Sequence, residues 1–347
     1  MELSERKLQI LQAIVADFIY SAEPVGSRTI SKKYDMGISP ATIRNEMSDL
    51  EEMGYLSHPH TSSGRVPSDK AYRLYVNQMM QDYQMSEAEK TVIAERLTRN
   101  VRELEQTVHY AATLLSELTN MASFAITPNR TENTLKYVNF LPVDDRTVVL
   151  MIIGQDGKVS NTNIRLDHGY TGENLALMSR VLTHNFKGKT INNILTLDIV
   201  KAFESDMFVL QDFALKIAPD FLDTLERMLS VDLYMEGLSN IFSIPEYNDI
   251  DKARCFIEML QRKQQFTEVL VNRDNGLIIT IGGENPDDRM KDCSLITADY
   301  RIDGKLVGKI GVIGPTRMKY SEITSVIRYM SDNMSQTFQL KGDNKNE

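Results

Sequence analysis

The sequence predicts a multidomain α+β protein, and three observations lead to this prediction. The chain has 347 residues, which is long enough for two or three domains with real hydrophobic cores. Helical periodicity dominates the N-terminal third, whereas strand patterns occur in two separate places, near 137–166 and 276–313. Mostly helical sequence lies between the two, so a sheet starts, pauses and resumes, as expected when a segment is inserted into an α+β domain.

The composition is that of a globular protein. Hydrophobic residues make up 42% of the chain and charged residues 25%. No apolar run reaches the length of about 18 residues that a membrane-spanning helix needs, and residues 1–7 lack a signal-peptide pattern. Cys255 and Cys293 match no zinc or redox spacing, so we expect two ordinary buried thiols in a reducing compartment. A cytoplasmic location is therefore predicted.

The chain begins with two predicted helices. Ser4 is placed to cap the first, which has apolar residues at helical spacing (Leu8, Leu11, Val15 and Phe18). The segment 22–26 contains a proline and a glycine and ends that helix. Ser27 is expected to cap a short second helix that runs through Tyr34.

A third helix has the clearest start signal in the chain, a capping Ser39 followed by Pro40 at the first helical position. Its apolar residues fall on one face (Ile43, Met47 and Leu50), and Gly54 is expected to end it. Short strands at 55–57 and 65–67 then flank a polar tip, and a helix from Ala71 to about Met80 closes the segment. Three helices followed by such a hairpin predict a winged helix-turn-helix over residues 1–76.

This segment has the residues of a nucleic-acid interface. When the apolar face of the third helix packs inward, small and hydrogen-bonding side chains point outward, and Arg44 can reach guanine while Asn45 can pair with adenine. The second helix and the hairpin would reach phosphates or the minor groove. The candidate DNA-binding residues are Ser27, Arg28, Thr29, Ser39, Ala41, Thr42, Arg44, Asn45, Ser48, His58, Ser62, Ser63 and Arg65.

Charge distribution agrees with that interface, although the formal net charge is −9. Between residues 27 and 45 four cations (Arg28, Lys32, Lys33 and Arg44) face Asp35 alone, and phosphate binding needs only a local basic face. Two other interpretations stay open at this point. The helices could form a surface bundle with solvated charges, or the protein could be an adaptor that docks a partner protein through its helix-turn-helix.

The remainder of the chain is predicted from periodicity. Residues 77–125 contain a long amphipathic helical stretch (86–121), either a coiled-coil-like dimer strut or a helix laid along the next domain. The other predicted elements are strands at 137–141, 147–153 and 159–166, helices between 170 and 264, strands at 276–281, 294–300 and 306–313, a helix at 321–340 and a disordered tail at 341–347.

No cofactor or catalytic centre is predicted. His58 and His60 lie two residues apart beside a proline, but no third ligand is nearby, so wing contact or simple exposure is favoured over a metal. Gly282-Gly283 lacks the surroundings of a phosphate-binding loop and indicates a strand-end turn. No nucleophile-base or paired-carboxylate pattern can be picked out, which argues against an enzyme.

Distinctive motifs lie at both ends of the chain. At the N-terminal end they are Pro-Val-Gly-Ser-Arg (24–28), Ser-Pro-Ala-Thr-Ile-Arg-Asn-Glu-Met (39–47) and His-Pro-His-Thr-Ser-Ser-Gly-Arg-Val-Pro (58–67). At the far end they are Ile-Gly-Gly-Glu-Asn (281–285) and Gly-Lys-Ile-Gly-Val-Ile-Gly-Pro-Thr-Arg-Met (308–318) with Tyr320. Together these motifs resemble those of the HrcA family of heat-inducible repressors. The middle, about 170–240, contains no motif of this kind.

The resemblance implies a fold and a function. It implies a winged-helix head (1–76), a connecting helix (77–125), a GAF-like α/β sensor-type domain (126–169 plus 241–340) and a mostly helical dimerising insertion (170–240). It also implies a homodimer that binds an inverted-repeat operator of double-stranded DNA upstream of chaperone operons. Repression would be promoted by the chaperonin GroEL and relieved on heat stress, with no membrane involved. GAF-like folds often hold small ligands, and nothing in this sequence names one.

Overall fold

The structure is a computed structural model that describes residues 3–34, 36–59, 64–99, 104–127, 133–167, 169–197, 211–302 and 305–343. These residues form two compact units. The first combines the described residues up to 127 with those from 233 onward, and the second contains those between 128 and 232. His60, Ser62, Ser63 and the last four residues of the predicted tail lie outside the described residues.

The first unit begins with a helical segment that ends in a small hairpin. Its elements are α1 (Glu5–Ser21), α2 (Ser27–Lys33), α3 (Pro40–Glu52), β1 (Leu56–Ser57), β2 (Val66–Pro67) and α4 (Asp69–Leu74), which continues as a π-helical turn (Tyr75–Met79). We call residues 3–79 the head. β1 and β2 pair antiparallel, with Leu56 opposite Pro67. This is the element order that the sequence predicts.

The helix starts follow the predicted capping chemistry in two cases out of three. Ser4 accepts a hydrogen bond from the Lys7 backbone N–H, and Ser39 accepts one from the Thr42 N–H at 3.1 Å. The prediction for Ser27 was wrong, because Ser27 is already the first helical residue. Gly26 occupies the cap position and supplies no side-chain bond.

The remaining helices and strands, in chain order, are α5 (Glu87–Arg99), α6 (Leu104–Thr119), β3 (Ala122–Ile126), β4 (Leu135–Pro142), β5 (Thr147–Gly154), β6 (Val159–Arg165), α7 (Gly172–Phe186), α8 (Ile191–Leu195), α9 (Gln211–Leu229), β7 (Leu233–Glu236), α10 (Ile250–Gln261), α11 (Lys263–Val271), β8 (Ile278–Ile281), β9 (Cys293–Ile302), β10 (Lys305–Pro315) and α12 (Tyr320–Asp343). Short 3₁₀ turns cover Leu238–Ser243, Pro245–Tyr247, Gly282–Glu284 and Asp288–Met290.

A five-stranded antiparallel sheet organises the rest of the first unit. Its strand order is β7-β3-β10-β9-β8, so strands from before and after residues 128–232 pair side by side. We call this sheet, with the helices that pack on it, the body. Phe266 of α11 packs edge-on against Phe124 of β3, with ring centroids 5.3 Å apart. The buried apolar residues of head and body form one continuous core.

The stretch 86–121 is not one long helix. Arg96 on α5 donates from Nη2 to Glu117 Oε2 on α6 at 2.6 Å, although the two residues are 21 positions apart. On a straight helix that separation would be about 31 Å, so the chain folds back between α5 and α6. α5 also lies along α12, where Tyr329 donates to the Lys90 carbonyl at 3.1 Å. Both predicted arrangements assumed one long helix, whereas the structure has two shorter ones.

The second unit has its own sheet and core. β4, β5 and β6 form a three-stranded antiparallel meander, and α7, α8 and α9 cover one face of it. The predicted boundary assigned 126–169 to the same domain as 241–340 and only 170–240 to an insertion. The observed unit instead takes the meander together with the helices, because alternate strand residues such as Val138, Leu150 and Ile152 are buried against them.

Two further observations concern exposure. Among the described residues, no helix is both long and apolar enough to span a bilayer. The expectation of two buried thiols is wrong for one of them: Cys293 is buried, whereas Cys255 is exposed. The reason is helical geometry, because α10 turns Phe256, Met259 and Leu260 toward the core and leaves the adjacent Cys255 on its solvent side.

Candidate nucleic-acid interface

α3 presents an outward face made of small and polar side chains. Ile43, Met47 and Leu50 are buried and fix the helix against the core of the head. The opposite side chains are therefore exposed (Ala41, Arg44, Asn45 and Ser48). Within the described chain nothing covers this face. A long arginine and an asparagine flanked by small residues have the shape and donors that a major groove accepts.

The start of α3 uses its hydroxyls locally. Ser39 Oγ lies 3.0 Å from Thr42 Oγ1 and also accepts the Thr42 backbone N–H. Ser39 is exposed and Thr42 is half-buried. These two predicted site residues therefore form the N-terminal cap of α3 and fix where the helix begins.

Three of the four exposed cations on α2 and α3 have no carboxylate partner among the described residues. Arg28, Lys32 and Arg44 form no ion pair with any carboxylate in the described part of the chain. Ser27 is half-buried and Thr29 exposed beside Arg28 at the start of α2. A cation without a carboxylate partner is available to phosphate, because no internal salt bridge must be broken first.

Neighbouring cations of the head are paired instead, and they hold the helices together. Lys7 on α1 donates to Glu46 at 2.6 Å and to Asp49 at 2.8 Å, both on α3. The hydrogen bonds to Asp49 and then Glu46 raise the pKa of Lys7, so it stays charged. Lys33 on α2 pairs with the buried Asp17 of α1. Lys7 and Lys33 therefore hold the helices of the head together, whereas Arg28, Lys32 and Arg44 take no part in these ion pairs.

Arg65 at the hairpin is held against α3. Its backbone exchanges hydrogen bonds with Val25 at 2.9 Å, and its Nε donates to Glu51 Oε2 at 2.7 Å. Its side chain is 17% exposed. This placement departs from the expected outward contact, because a carboxylate 14 residues earlier captures the guanidinium. His58 is exposed, with Nδ1 2.8 Å from the Pro59 carbonyl oxygen.

The predicted DNA-binding residues thus fall into two groups, those that are exposed on α2 and α3 and those that are engaged elsewhere or lie outside the described residues. The outward residues of α3 and the start of α2 lie on one segment, Arg65 is engaged internally, and Ser62 and Ser63 fall outside the described residues. Sequence reasoning omitted Lys32 from the set. The local charge count contained it, but a helix of seven residues has too few turns to show which side faces solvent.

No cluster of three or more potential metal ligands occurs among the described residues. The predicted strand-end turn at Gly282-Gly283 is observed as a 3₁₀ turn directly after β8. The geometry therefore gives an α+β protein whose candidate site is the exposed polar face of α3 together with the cations Arg28, Lys32 and Arg44, which are unpaired within the described chain. This is the kind of surface that nucleic-acid-binding proteins use.

Comparison with known proteins gives the family. The profile of the HrcA protein C-terminal domain matches residues 105–324. The heat-inducible transcription repressor HrcA of Alkaliphilus metalliredigens is 39% identical over 99% of this chain and 100% of its own length. The HrcA of Clostridium tetani is 40% identical over 99% of this chain and 97% of its own. The chain belongs to the HrcA family, which consists of transcription repressors and not of enzymes.

A solved structure has the same fold. The crystal structure of a hypothetical protein at 2.2 Å resolution superposes with a TM-score of 0.63, covering 98% of this chain and 99% of that one, at 23% identity. That likeness concerns the fold alone.

Proposed function

We propose that this chain is a dimeric, cytoplasmic DNA-binding repressor of heat-shock chaperone operons, and that its head is a winged helix-turn-helix. The observation that carries the proposal is the outward face of α3, where Arg44 and Asn45 are exposed. The preceding helix, α2, adds two further exposed cations, Arg28 and Lys32, without a carboxylate partner among the residues that the structure describes. The names of the relatives, heat-inducible transcription repressors, supply the regulatory context.

Each predicted contact then has a role. Arg44 and Asn45 read base edges in the major groove, and the small side chains of Ala41 and Ser48 let α3 approach closely. Ser27, Arg28 and Thr29 contact phosphates, and we add Lys32 to them. His58, Ser62 and Ser63 belong to the wing. Arg65 positions the wing through Glu51 and contacts DNA less directly than expected.

Recognition of an inverted repeat requires a two-fold dimer whose heads match the spacing of the half-sites. The second unit supplies a surface suited to it. The face of its sheet opposite the helices combines exposed apolar and amide side chains. Tyr137, Leu141 and Val159 are 44%, 41% and 49% exposed, and Ile153 lies between Tyr137 and Val159, while Asn161 and Asn163 share the face. We assign the dimer contact to this face, which lies on strands outside the predicted 170–240 segment.

The C-terminal domain completes the proposal. We retain a GAF-like assignment for the body, with the second unit inserted between β3 and β7. The chaperonin GroEL is proposed to promote the repressing form, and heat to relieve it. No catalytic step is part of this account.

The first experiment is nuclease footprinting of the full-length protein on the DNA upstream of its own gene. We expect a protected inverted repeat, weakened strongly by added salt, with occupancy increased by GroEL. A duplex with one half-site scrambled is the control and should bind much more weakly. Protection of no palindromic segment at low salt would contradict the proposal.

The dimer assignment has its own test. Met151→Asp places a charge on the central strand of this sheet face and should shift the protein from dimer to monomer in sedimentation velocity. Asn272→Asp adds the same charge at an exposed position of the first unit and should leave the dimer intact. Dimers that persist unchanged in Met151→Asp would exclude this face.

A further inference from the structure

The two C-terminal family motifs, 281–285 and 308–318, lie outside the candidate DNA-binding residues, and each contains a charged residue that bonds to the head. The first of these contacts joins α4 to the turn after β8. Arg73 donates from Nε to Glu284 Oε1 at 2.7 Å and from Nη2 to Glu284 Oε2, and Nη2 also donates to the Ile279 carbonyl at 2.7 Å. The ion pair is therefore bidentate, the strongest geometry for an arginine and a carboxylate.

Hydrogen bonds within the body fix the shape of the turn that contacts the head. Asn285 is buried and its amide donates to the carbonyls of Gly282, Met290 and Cys293 at 2.8 to 3.0 Å, which fixes the shape of the turn. Glu284 also accepts the Ile281 N–H at 2.9 Å. Burial alone would raise the pKa of Glu284, but the hydrogen bonds from Arg73 and Ile281 hold it below its ordinary value.

The glycines of the first motif permit a close approach. The Gly283 N–H donates to Asp69 Oδ2 at 3.1 Å, at the start of α4. Gly282 has φ +55°, and a Cβ at this position would overlap the Asp69 carboxylate. Both the backbone conformation and the contact therefore require glycine.

A second contact involves the other motif. Arg317 donates from Nη1 to the carbonyl of Ile19 at 2.7 Å, in the last turn of α1. The last carbonyls of a helix lack partners within it, and a cation is favourable there. The rest of the guanidinium is held by Glu246, with Nε to Oε1 at 2.5 Å and Nη2 to Oε2 at 2.9 Å. The side chain of Arg317 is 15% exposed.

Neither contact touches the candidate DNA-binding face. The head is held through α1 and α4, while Ala41, Arg44, Asn45 and Ser48 of α3 stay exposed in the same arrangement. Docking therefore does not block the interface. It fixes the direction in which the interface points relative to the body.

We infer that Arg73 bonded to Glu284, and Arg317 bonded to the Ile19 carbonyl and held by Glu246, form a clamp that acts together with the shared apolar core to set the orientation of the head for operator recognition. These four are positioning residues, not DNA contacts, and the inference rests on the proposed function. In a dimer, the first head binds one half-site and so brings the second head close to the other. If the orientation of the heads is fixed, the second copy of α3 meets its half-site at a high effective concentration. A loosened head would lose that advantage and would also tolerate altered half-site spacing.

The first test measures head orientation without DNA. Spin labels on the exposed Cys255 of the body and on Glu52→Cys at the end of α3 report one distance within the chain; labelled protein is diluted with unlabelled protein. Cys293 is buried and stays unlabelled. We expect a narrow distance distribution, which broadens in Arg73→Ala/Arg317→Ala. Arg289→Ala removes an arginine whose partner Asp287 lies in the body, and should leave the distribution narrow.

The second test uses duplexes in which the two footprinted half-sites are moved apart by one to five base pairs. The unmodified protein should show a sharp optimum. Arg73→Ala should lower affinity at the optimum by about tenfold and flatten the dependence on spacing, with affinity for a single half-site unchanged. The charge swap Arg73→Glu/Glu284→Arg should restore part of the optimum.

The outcomes separate the two proposals. If the unmodified protein binds no duplex, the proposed function fails, while the distance measurement still tests the clamp. A narrow distribution in the double variant, or an unchanged spacing optimum in Arg73→Ala, overturns the clamp. A half-site affinity that falls in parallel with the full site also overturns it, because the residue would then act on the head itself.

Discussion

The arginines of the head fall into two groups that sequence composition does not distinguish. Arg28 and Arg44 are exposed and meet no carboxylate within the described chain, whereas Arg65 and Arg73 are captured by Glu51 and Glu284. The difference shows how one residue type serves two purposes in a single small domain. An internal carboxylate converts an arginine into a positioning group, and its absence leaves the charge for phosphate or bases.

The same division reconciles an acidic chain with the proposed binding to DNA. The net charge of −9 belongs to the whole chain, but pairing is local. Lys7 and Lys33 are neutralised by carboxylates on neighbouring helices, and these pairs hold α1, α2 and α3 together. Among the described residues, Arg28, Lys32 and Arg44 remain unpaired on α2 and α3 and are available to phosphate.

The largest effect is expected where pairing is most complete. The side chains of Lys309 and Asp299 are 5% and 3% exposed, with Nζ and Oδ1 2.8 Å apart. Asp299 Oδ2 also accepts the Gly276 N–H at 2.6 Å. Asp299→Ala leaves the buried Lys309 ammonium without a carboxylate partner, and among the described residues only the Asp274 carbonyl still accepts from it, at 3.0 Å. The variant should lower the free energy of unfolding by about 3–5 kcal/mol. Urea denaturation measures the loss.

The control for this variant removes both charges. Lys309→Met/Asp299→Leu should recover most of the stability, because no uncompensated charge stays buried. DNA binding by folded protein should be the same in all three proteins. A loss below about 1 kcal/mol in Asp299→Ala would mean that water reaches the pair.

Local signals predicted the head well, and the reason is visible in its residues. Ser39-Pro40 and Gly54 act within one turn of their own helix, so the sequence alone places both ends of α3. The fold-back between α5 and α6 was not predictable from periodicity, because two packed helices and one long helix show the same apolar stripe. The sheet order β7-β3-β10-β9-β8 depends on pairing between distant segments, which no local pattern encodes.

The next largest effect concerns the free charges. Arg44→Ala and Asn45→Ala should each reduce specific operator binding by about 1–3 kcal/mol, because each removes contacts to base edges. The free energy of unfolding should change by less than about 0.5 kcal/mol, since both side chains are exposed. Gel-shift titration against the footprinted operator measures the binding loss.

Arg254→Ala is the matched control. It removes one exposed positive charge from α10, outside the head, where the side chain is 63% exposed. Operator affinity should be unchanged. If Arg44→Ala and Asn45→Ala both behave as this control does, α3 is not the reading helix.

The site was predictable only in part, again for a physical reason. The outward positions of α3 follow from its helical period, so Arg44 and Asn45 could be placed from the sequence. The capture of Arg65 by Glu51 could not, because it depends on how the hairpin returns to α3. The pairing of Arg73 with Glu284 spans 211 positions and needs the complete fold.

A smaller effect is expected for Arg28, which we assign to phosphate. Arg28→Ala should weaken binding to operator and to random duplex by the same factor, because phosphate contacts read no sequence. The slope of log affinity against log salt should fall by about 0.9, the value for one lost phosphate contact. Titrations at four salt concentrations measure both. A selective loss on the operator alone would reassign Arg28 to base recognition.

The smallest effect on operator binding is expected for the two thiols, one of which is exposed and the other buried. Burial raises the pKa of the Cys293 thiol to about 12, whereas Cys255 is exposed on α10. The reactive thiolate of Cys293 is therefore scarce at pH 8, and the side chain is also shielded from reagents. Iodoacetamide at that pH should modify one thiol per folded chain, identified as Cys255 by peptide mass, and both thiols in urea. Because Cys255 lies on α10 and not on α3, the modified protein should bind operator with unchanged affinity.

Modification of Cys293 in the folded protein at a rate comparable to that of Cys255 would show that the body opens. Operator affinity measured on that sample would then show whether the opening also disturbs the head.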